Sequence, residues 1–525
     1  MPPATHPFPS IAAISSDVSW ANSPYPAFPG ASDRDASSVC ILPIYNFADH
    51  GLGLPLDVEE VIASAVLSAA VETHVFPLPL RVLPPVRFGL SPYGTKLGSI
   101  DAETTQQLLR EICIGIRQAG YQRLLFWVTS PWNYELIDVV SRDARIELGL
   151  QTFLMGLRGV GLGLHPAKGN RAEAQAVAAH LLKLAPEPTS PPSATSIDDK
   201  TKRPGNWTIT PSLALDESLD GSQLLSQAAQ VMSQLLAEVV EYPSFDGAVP
   251  SPAPVSPAPV TIRHKSVTEF AAFPTSRRER YLPSLTTTAL EILPHKKTGL
   301  VIIPVGAIEQ HGPHLPVGVD SFLGEAVLQS LAARLPSEAP VWFGPSITYG
   351  KSNEHLTFPG SLSVSAKTLG RLLVALALQL KTLGFHQLAF LNTHGGNSSV
   401  IDYTLRELQS EHGLVVEHLR LPTSSELSAQ ERAWGFHAGE WETSLMLALA
   451  PDLVDQTKVI CHYPVKLDDP GQLRPESAPV IHAWQTSDLA PDGVMGDATA
   501  ATSAKGHRWF EEAMQKLSDA VIRLI

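Results

Sequence analysis

Residues 302–320 read IIPVGAIEQHGPHLPVGVD, and residues 41–59 read ILPIYNFADHGLGLPLDVE. Laid over each other at an offset of 261, the two blocks share Ile, Pro, His, Gly, Leu, Pro and Val without a gap. A second pair follows in the same order. GYQRLLFWVTSPWNYELID (120–138) and GFHQLAFLNTHGGNSSVID (384–402), at an offset of 264, share Gly, Leu, Phe, Thr, Asn, Ile and Asp. Two ungapped blocks at nearly one offset describe a tandem duplication. Each half alternates strand and helix. Gly299–Val305 is a continuous apolar run, as expected of a strand buried on both faces. A helix is expected from Phe322 to Leu335, a strand over Val341–Ile347 and a helix over Ala366–Leu383. A strand at Leu388–Leu391 and a helix at Ser398–His412 complete the pattern. Such alternation predicts an α/β fold with a mainly parallel sheet covered on both sides.

The segment VPSPAPVSPAPV (249–260) can form neither helix nor sheet and reads as a stiff, polyproline-like tether. A second polar, Pro-rich stretch (187–204) reads as an internal loop, and Gln223–Val240 carries apolar residues at helical spacing. The expected division is a first domain over 1–243, a Pro/Ala-rich linker over 244–265 and a second domain over 266–525.

The 525 residues can bury a large core, and 44% apolar with 17% charged residues is globular composition. A net charge of −14 argues against a nucleic-acid or anionic-membrane binder, which needs a basic surface. No stretch reaches the roughly 18–20 uninterrupted apolar residues of a membrane span. The start, MPPATHPFPSIAAISS, lacks the basic region and apolar run of a signal peptide. Cys40, Cys113 and Cys461 are dispersed and odd in number, which suits a reducing cytoplasm.

In open α/β sheets, ligands bind beyond the C-terminal ends of strands. The second half concentrates metal-type residues there. Glu309, His311 and Asp320 follow the first strand in a loop stiffened by Gly306, Gly312, Pro313, Pro316 and Gly318. Two apart, Glu309 and His311 would point to one side of an extended loop. Asn392-Thr393-His394-Gly395-Gly396-Asn397 follows a later strand, and His437-Ala438-Gly439-Glu440-Trp441-Glu442 enters an apolar helix. Imidazoles with carboxylates suit a pair of Zn, Mn or Fe ions. His355, in a Gly/Pro-bounded loop, should border the same pocket.

PVGAIEQHGPHLPVGVD, EHLTFPGSLS, NTHGGN and HAGEWETS, in that order, resemble the creatininase (creatinine amidohydrolase) family over about Tyr281–Val459. The resemblance implies a three-layer α/β/α fold, here in tandem, with a two-metal site that hydrolyses amide bonds through a metal-bound water. It implies Glu309, His311, Asp320 and His394 as metal ligands. Creatininase has a glutamate two residues after the turn histidine where this chain has Gly396, so Glu442, with Glu440 as the fallback, is expected to complete the set. An aromatic residue of that turn is replaced by Gly395, which argues against creatinine itself as substrate. His437, or else Glu440, is expected to deliver the proton to the leaving nitrogen. His355, Phe358, Gly395 and Gly396 are expected to line the substrate pocket.

In the first half Ala48 stands opposite Glu309, Glu59 opposite Asp320 and Ser130 opposite His394, and only His50 keeps its identity. A less secure alignment sets Ala172 opposite Glu442. That half reads as a copy without the site, packed on the second half as one partner of a dimer would be, with Trp127, Trp132 and Tyr134 filling the vacated space. A homo-oligomer of the whole chain is compatible with this. The expected activity is hydrolysis of a small non-protein amide, cyclic or formamide-like. The alternatives are a peptidase trimming a small peptide and an inactive binding or regulatory protein. A dinucleotide-binding oxidoreductase is disfavoured, because no GxGxxG follows a strand and opens a helix.

Overall fold

A computed structural model of the chain describes residues 18–30, 35–50, 53–73, 79–91, 97–165, 171–184, 215–216, 218–243, 278–463, 473–474 and 480–525. The tether at 249–260 and the loop at 187–204 lie outside the described residues.

The first half forms β1 (Asp35–Ile44), α1 (Val58–Thr73), β2 (Leu80–Val82), α2 (Ala102–Gln118), β3 (Tyr121–Val128), α3 (Tyr134–Leu148), β4 (Gln151–Gly156), α4 (Arg171–Leu182) and α5 (Gly221–Glu241). The second forms β5 (Leu300–Val305), α6 (Val319–Arg334), β6 (Val341–Phe343), α7 (Ala366–Thr382), β7 (Gln387–Asn392), α8 (Ser398–His412), β8 (Val415–Arg420), α9 (Glu440–Leu449) and α10 (Ser503–Leu524). Among the described residues each half carries a four-stranded sheet, in the orders β2-β1-β3-β4 and β6-β5-β7-β8. Both are parallel throughout. Helix α6 lies 261 positions after α1 at both ends, while α7 and α8 lie 264 after α2 and α3. Even the backbone repeats: Gly120 and Gly384, entering β3 and β7, both adopt φ of 99°, which favours glycine.

Alternate strand residues feed opposite cores, as the two-residue period of a strand requires. Val39 and Ile41 pack with α1, α4 and α5, and Ile302 and Leu391 pack with α6, α9 and α10. Cys40, Leu42, Val301 and Ile303 face inward to one continuous core, shared by α2, α3, α7 and α8 between the two sheets. Two departures from the sequence expectation have local causes. Helix α6 begins at Val319, ahead of the apolar pattern at Phe322, so Asp320 lies in its first turn, where the positive end of the helix dipole favours a carboxylate. Strand β6 stops at Phe343, because Gly344 and Pro345 end the run.

The halves meet reciprocally. Leu56 N–H donates to Leu285 O (3.1 Å) and Asp57 N–H to Pro283 O (2.8 Å). Their counterparts 261 positions on, Val317 and Gly318, donate to Ser23 O and Ala21 O (both 2.9 Å). Helix α2 lies against α7, with Arg371 paired to Glu103 (3.1 Å) and Ser99 N–H donating to Gln379 Oε1 (3.2 Å). Such self-matching contacts are the geometry of a twofold dimer, here within one chain. Among the described residues no helix is long and apolar enough to cross a membrane.

Candidate metal centre

Strands β5 and β7 are neighbours in register, Val305 opposite Asn392, so the loops leaving them open side by side. The β5 loop is pinned by Glu309 N–H to Val317 O (2.9 Å). It sends Glu309 and His311 to one side, with Glu309 Oε1 4.0 Å from His311 Nε2. His394, two residues beyond β7, brings Nδ1 to 3.1 Å from Glu309 Oε1 and 3.6 Å from Asp320 Oδ2. His311 Nε2 lies 3.5 Å from Asp320 Oδ1. His355 Nε2 (3.4 Å) and His437 Nδ1 (3.7 Å) reach the same Glu309 oxygen. Glu442 joins His311 and Asp320, with donor atoms within 4.8 Å of one another. Glu440 is engaged elsewhere, its carboxylate on Lys505 Nζ.

The histidines show how the residues fit an ion. A carbonyl oxygen can only accept, so His311 Nδ1–H donates to Glu309 O (3.0 Å), His394 Nε2–H to Lys351 O (2.9 Å) and His437 Nε2–H to Gln310 O (2.7 Å). In each ring the other nitrogen faces the carboxylates. This is the usual arrangement of metal-ligating histidines, whose second ring nitrogen donates to a carbonyl or carboxylate. Glu309 Oε2, His311 Nε2 and Asp320 Oδ2 are buried without a hydrogen-bond partner, which is costly unless a cation fills the space between them. Donor type, orientation and orphaned atoms all fit divalent ions.

Burial pushes the Glu309 and Glu442 carboxyls above their ordinary values, against the pull of nearby imidazoles. Burial also opposes charge on His311, but Asp320, Glu442 and Glu309 outweigh it and raise the group to about 9. His394 is likewise raised, with Glu309 and Asp320 overcoming burial. His355 and His437 are held well below 6.5 by burial and by their neighbouring imidazoles, so both are neutral at pH 7.

Four contributors escaped the sequence reading. Gln310, between two predicted ligands, places Nε2 3.0 Å from His355 Nδ1 and 3.1 Å from Gly493 O, and its Oε1 accepts from Gly312 N–H (2.8 Å). Glu431 is buried beneath the turn into α9 and accepts from Glu440 N–H (2.7 Å), Tyr463 Oη–H (2.6 Å) and Asp497 N–H (3.1 Å). Ala438 in that turn has φ of 54°, a strained value for a residue with a Cβ, and its N–H donates to Glu442 Oε2 (2.5 Å). Glu354 groups with Glu309 and His355. Its one sequence signal was adjacency to His355. Of the expected pocket residues, His355 is buried at the centre. Phe358 is buried with its ring 5.0 Å from that of Tyr25, which comes from the first half. Gly395 is exposed, with nothing within 4 Å of where a Cβ would stand.

In the first half His50 Nε2 pairs with Glu59 Oε1 at 2.9 Å, and Trp132 stacks over the His50 ring at 6.4 Å. Ser130 Oγ accepts from Asn133 Nδ2 (2.8 Å). Trp127 instead belongs to the core. Tyr134 is 40% exposed and lines a 790 Å³ cavity with Phe153, Leu154 and His165. In both halves a glycine lets the last helix cross its partner closely: a Cβ on Gly221 would strike Ala176 O, and one on Gly506 would strike Ser444 O. That register sets Ala174, rather than Ala172, opposite Glu442; the position is an alanine either way.

Paired α/β layers carry buried imidazoles and carboxylates beyond the strand ends of the second sheet, grouped as residues that could hold metal ions, the frame of a hydrolase on a duplicated scaffold. The creatinine amidohydrolase family model matches residues 25–203 and 283–521, and the chain belongs to the creatininase family of hydrolases. The mycofactocin precursor peptide peptidase of Mycobacterium ulcerans is 31% identical over 255 residues, 47% of this chain and 94% of that protein. The creatinine amidohydrolase of Pseudomonas putida is 31% identical over 244 residues, 42% of this chain and 88% of its own. The 3-dehydro-scyllo-inosose hydrolase of Thermotoga maritima is 26% identical over 253 residues, 44% and 78%. A solved structure of creatininase with Mn is 28% identical and covers 46% of this chain and 97% of its own, with a TM-score of 0.38.

Proposed function

We propose that the second half, over 266–525, hydrolyses an amide C–N bond at a centre of two divalent ions, and that 1–243 is a copy of the domain without the site, joined by the linker 244–265. The ions would be held by Glu309, His311, Asp320, His394 and Glu442, with Asp320 between the two sets of donors. The observation that carries this reading is the shared arrangement of His311 and His394, each with one nitrogen tied to a carbonyl and the other, free of hydrogen in the neutral ring, facing the carboxylates. When bound, Zn, Mn or Fe ions supply Lewis acidity that makes water nucleophilic at neutral pH and polarises a carbonyl.

This chain's residues handle the proton. His437 is neutral at pH 7 with its Nε2–H fixed on Gln310 O, so Nδ1 is the basic atom at the centre. It takes the proton of the attacking water and returns it to the leaving nitrogen. Glu440, the other candidate for this step, is occupied by Lys505, which favours His437. Burial of His355 and Phe358 suits a small amide, cyclic or formamide-like. The opening beside Gly395 supports a second reading, the trimming of a short peptide whose remainder extends past that turn. Cys40, Cys113 and Cys461 are all free, consistent with a cytoplasmic protein.

The test is metal content per chain by elemental mass spectrometry. About two transition-metal equivalents are expected, falling sharply in His394→Ala or Glu309→Ala while the fold persists. About four equivalents would mean that the first half binds metal too. None, even after incubation with Zn, Mn or Fe, would remove the hydrolase and leave a binding protein.

A further inference from the structure

Gly396 lies two residues past His394, where a side chain would project beside that imidazole. The space there is taken. A Cβ on Gly396 would lie 2.3 Å from Glu354 Oε1, 2.4 Å from Lys351 O and 2.5 Å from His394 Nε2. Because one of those atoms is backbone carbonyl, the turn cannot carry a side chain without moving the loop at Lys351. Glu354 Oε1 is 3.6 Å from His394 Nε2, the ring edge turned away from Glu309, so it is the grouping with Glu309 and His355, all with donor atoms within 4.8 Å of one another, that brings Glu354 to the centre. The Glu354 backbone is anchored from a distant segment by Thr486 Oγ1–H donating to its carbonyl (3.1 Å). Its side chain, 15% exposed, keeps freedom to turn that the fully enclosed ligands lack.

We propose that Glu354 supplies, from the loop before His355, a carboxylate beyond the Glu309, Asp320 and Glu442 set, and that it ligates the ion on the Glu309 side of the centre. This rests on the two-ion reading above. Charge supports it independently. Two divalent ions carry four positive charges, whereas Glu309, Asp320 and Glu442 supply three negative ones and neutral imidazoles none. A fourth carboxylate neutralises the two ions before any bound water ionises, so the buried site carries no net charge at rest. Glu354 is the further carboxylate that shares a group with Glu309 among the described residues.

The test is titration of metal-free full-length protein with Co²⁺, followed by visible absorption and by calorimetry. In Glu354→Gln and Glu354→Ala, one of the two ions should bind at least about tenfold more weakly while the other keeps its affinity and spectrum. Glu354→Asp should recover part of the loss. Two ions binding with unchanged affinity in both the Gln and Ala variants would overturn the role of Glu354 and leave the centre standing. A wild-type protein that takes up no Co²⁺ would overturn both.

Discussion

His311, His394 and His437 each donate one ring N–H to a carbonyl, and what separates them is charge. Carboxylates keep His311 protonated up to about 9 in the metal-free protein and also raise His394, whereas His437 is already neutral. A metal must displace those protons, so its affinity should climb as pH rises from 6 and level off only above about 10, the value to which His394 is raised. Calorimetric titration in buffers of different ionisation enthalpy would measure the released protons; an affinity flat across that range would contradict the protonation pattern. In the chelated protein the sign is opposite. Raised histidine pKa values give stability that is fully present below the ordinary 6.5 and is lost as pH rises through about 9 for His311 and about 10 for His394. His437→Ala should leave two ions bound but lower kcat by about 10²–10⁴-fold, the usual worth of a positioned acid–base group. Glu309, His311 and His394 were legible in the sequence because stiff Gly/Pro loops follow apolar strand runs. Gln310 was not, since its partners His355 and Gly493 lie far along the chain and no local spacing encodes such contacts.

Among the elements, the segment before β1 shows most clearly where sequence periodicity fails. Val18–Phe28 has neither helical nor alternating pattern, and nothing in it suggested a role. It runs along the boundary between the halves. Trp20 is fully buried between Phe28 (4.6 Å) and Tyr121 (5.4 Å), and its indole N–H donates to Gly360 O (2.9 Å) in the loop that carries Phe358. The first half thus braces the loop of the second half that carries Phe358. Trp20→Ala should cost about 3–5 kcal/mol in denaturant unfolding, the range for deleting a buried aromatic side chain. Tyr25→Ala is the finer probe. It removes the ring against Phe358 at a half-buried position, so KM should rise several-fold with little change in Tm. An unchanged KM would mean that Tyr25 only caps the surface. Strands and helices, by contrast, were legible at their centres. The ends that differed, Val319 and Phe343, are set by a turn and by a Gly-Pro pair rather than by apolar spacing.

At the scale of the whole molecule, the duplication was readable because packing preserves what a fold needs: apolar strand runs, a turn glycine at 120 and 384, and equal helix lengths. How the copies meet was not readable. It depends on backbone carbonyls at Ala21, Ser23, Pro283 and Leu285, which any residue type supplies. Keeping the fold and keeping the candidate ligand residues are therefore separable. Where the second half sets imidazoles among unpaired carboxylate oxygens, the first closes His50 on Glu59 and covers the ring with Trp132. His50→Ala should leave metal content and turnover near wild type, with its cost confined to stability. The fragment from Arg263 onward is the stricter test. Excision uncovers the α7 face that packs on α2, and it removes Trp20 and Tyr25 from the Phe358 loop. An exposed apolar face of that kind drives association, so the fragment should aggregate or self-pair through α7 and lose most of its activity. Adding the first half in trans should restore both solubility and turnover, because the reciprocal contacts need no covalent link. A soluble, monomeric and fully active fragment would show that the second half needs no partner, and that the first half is retained for some purpose other than bracing the Phe358 loop.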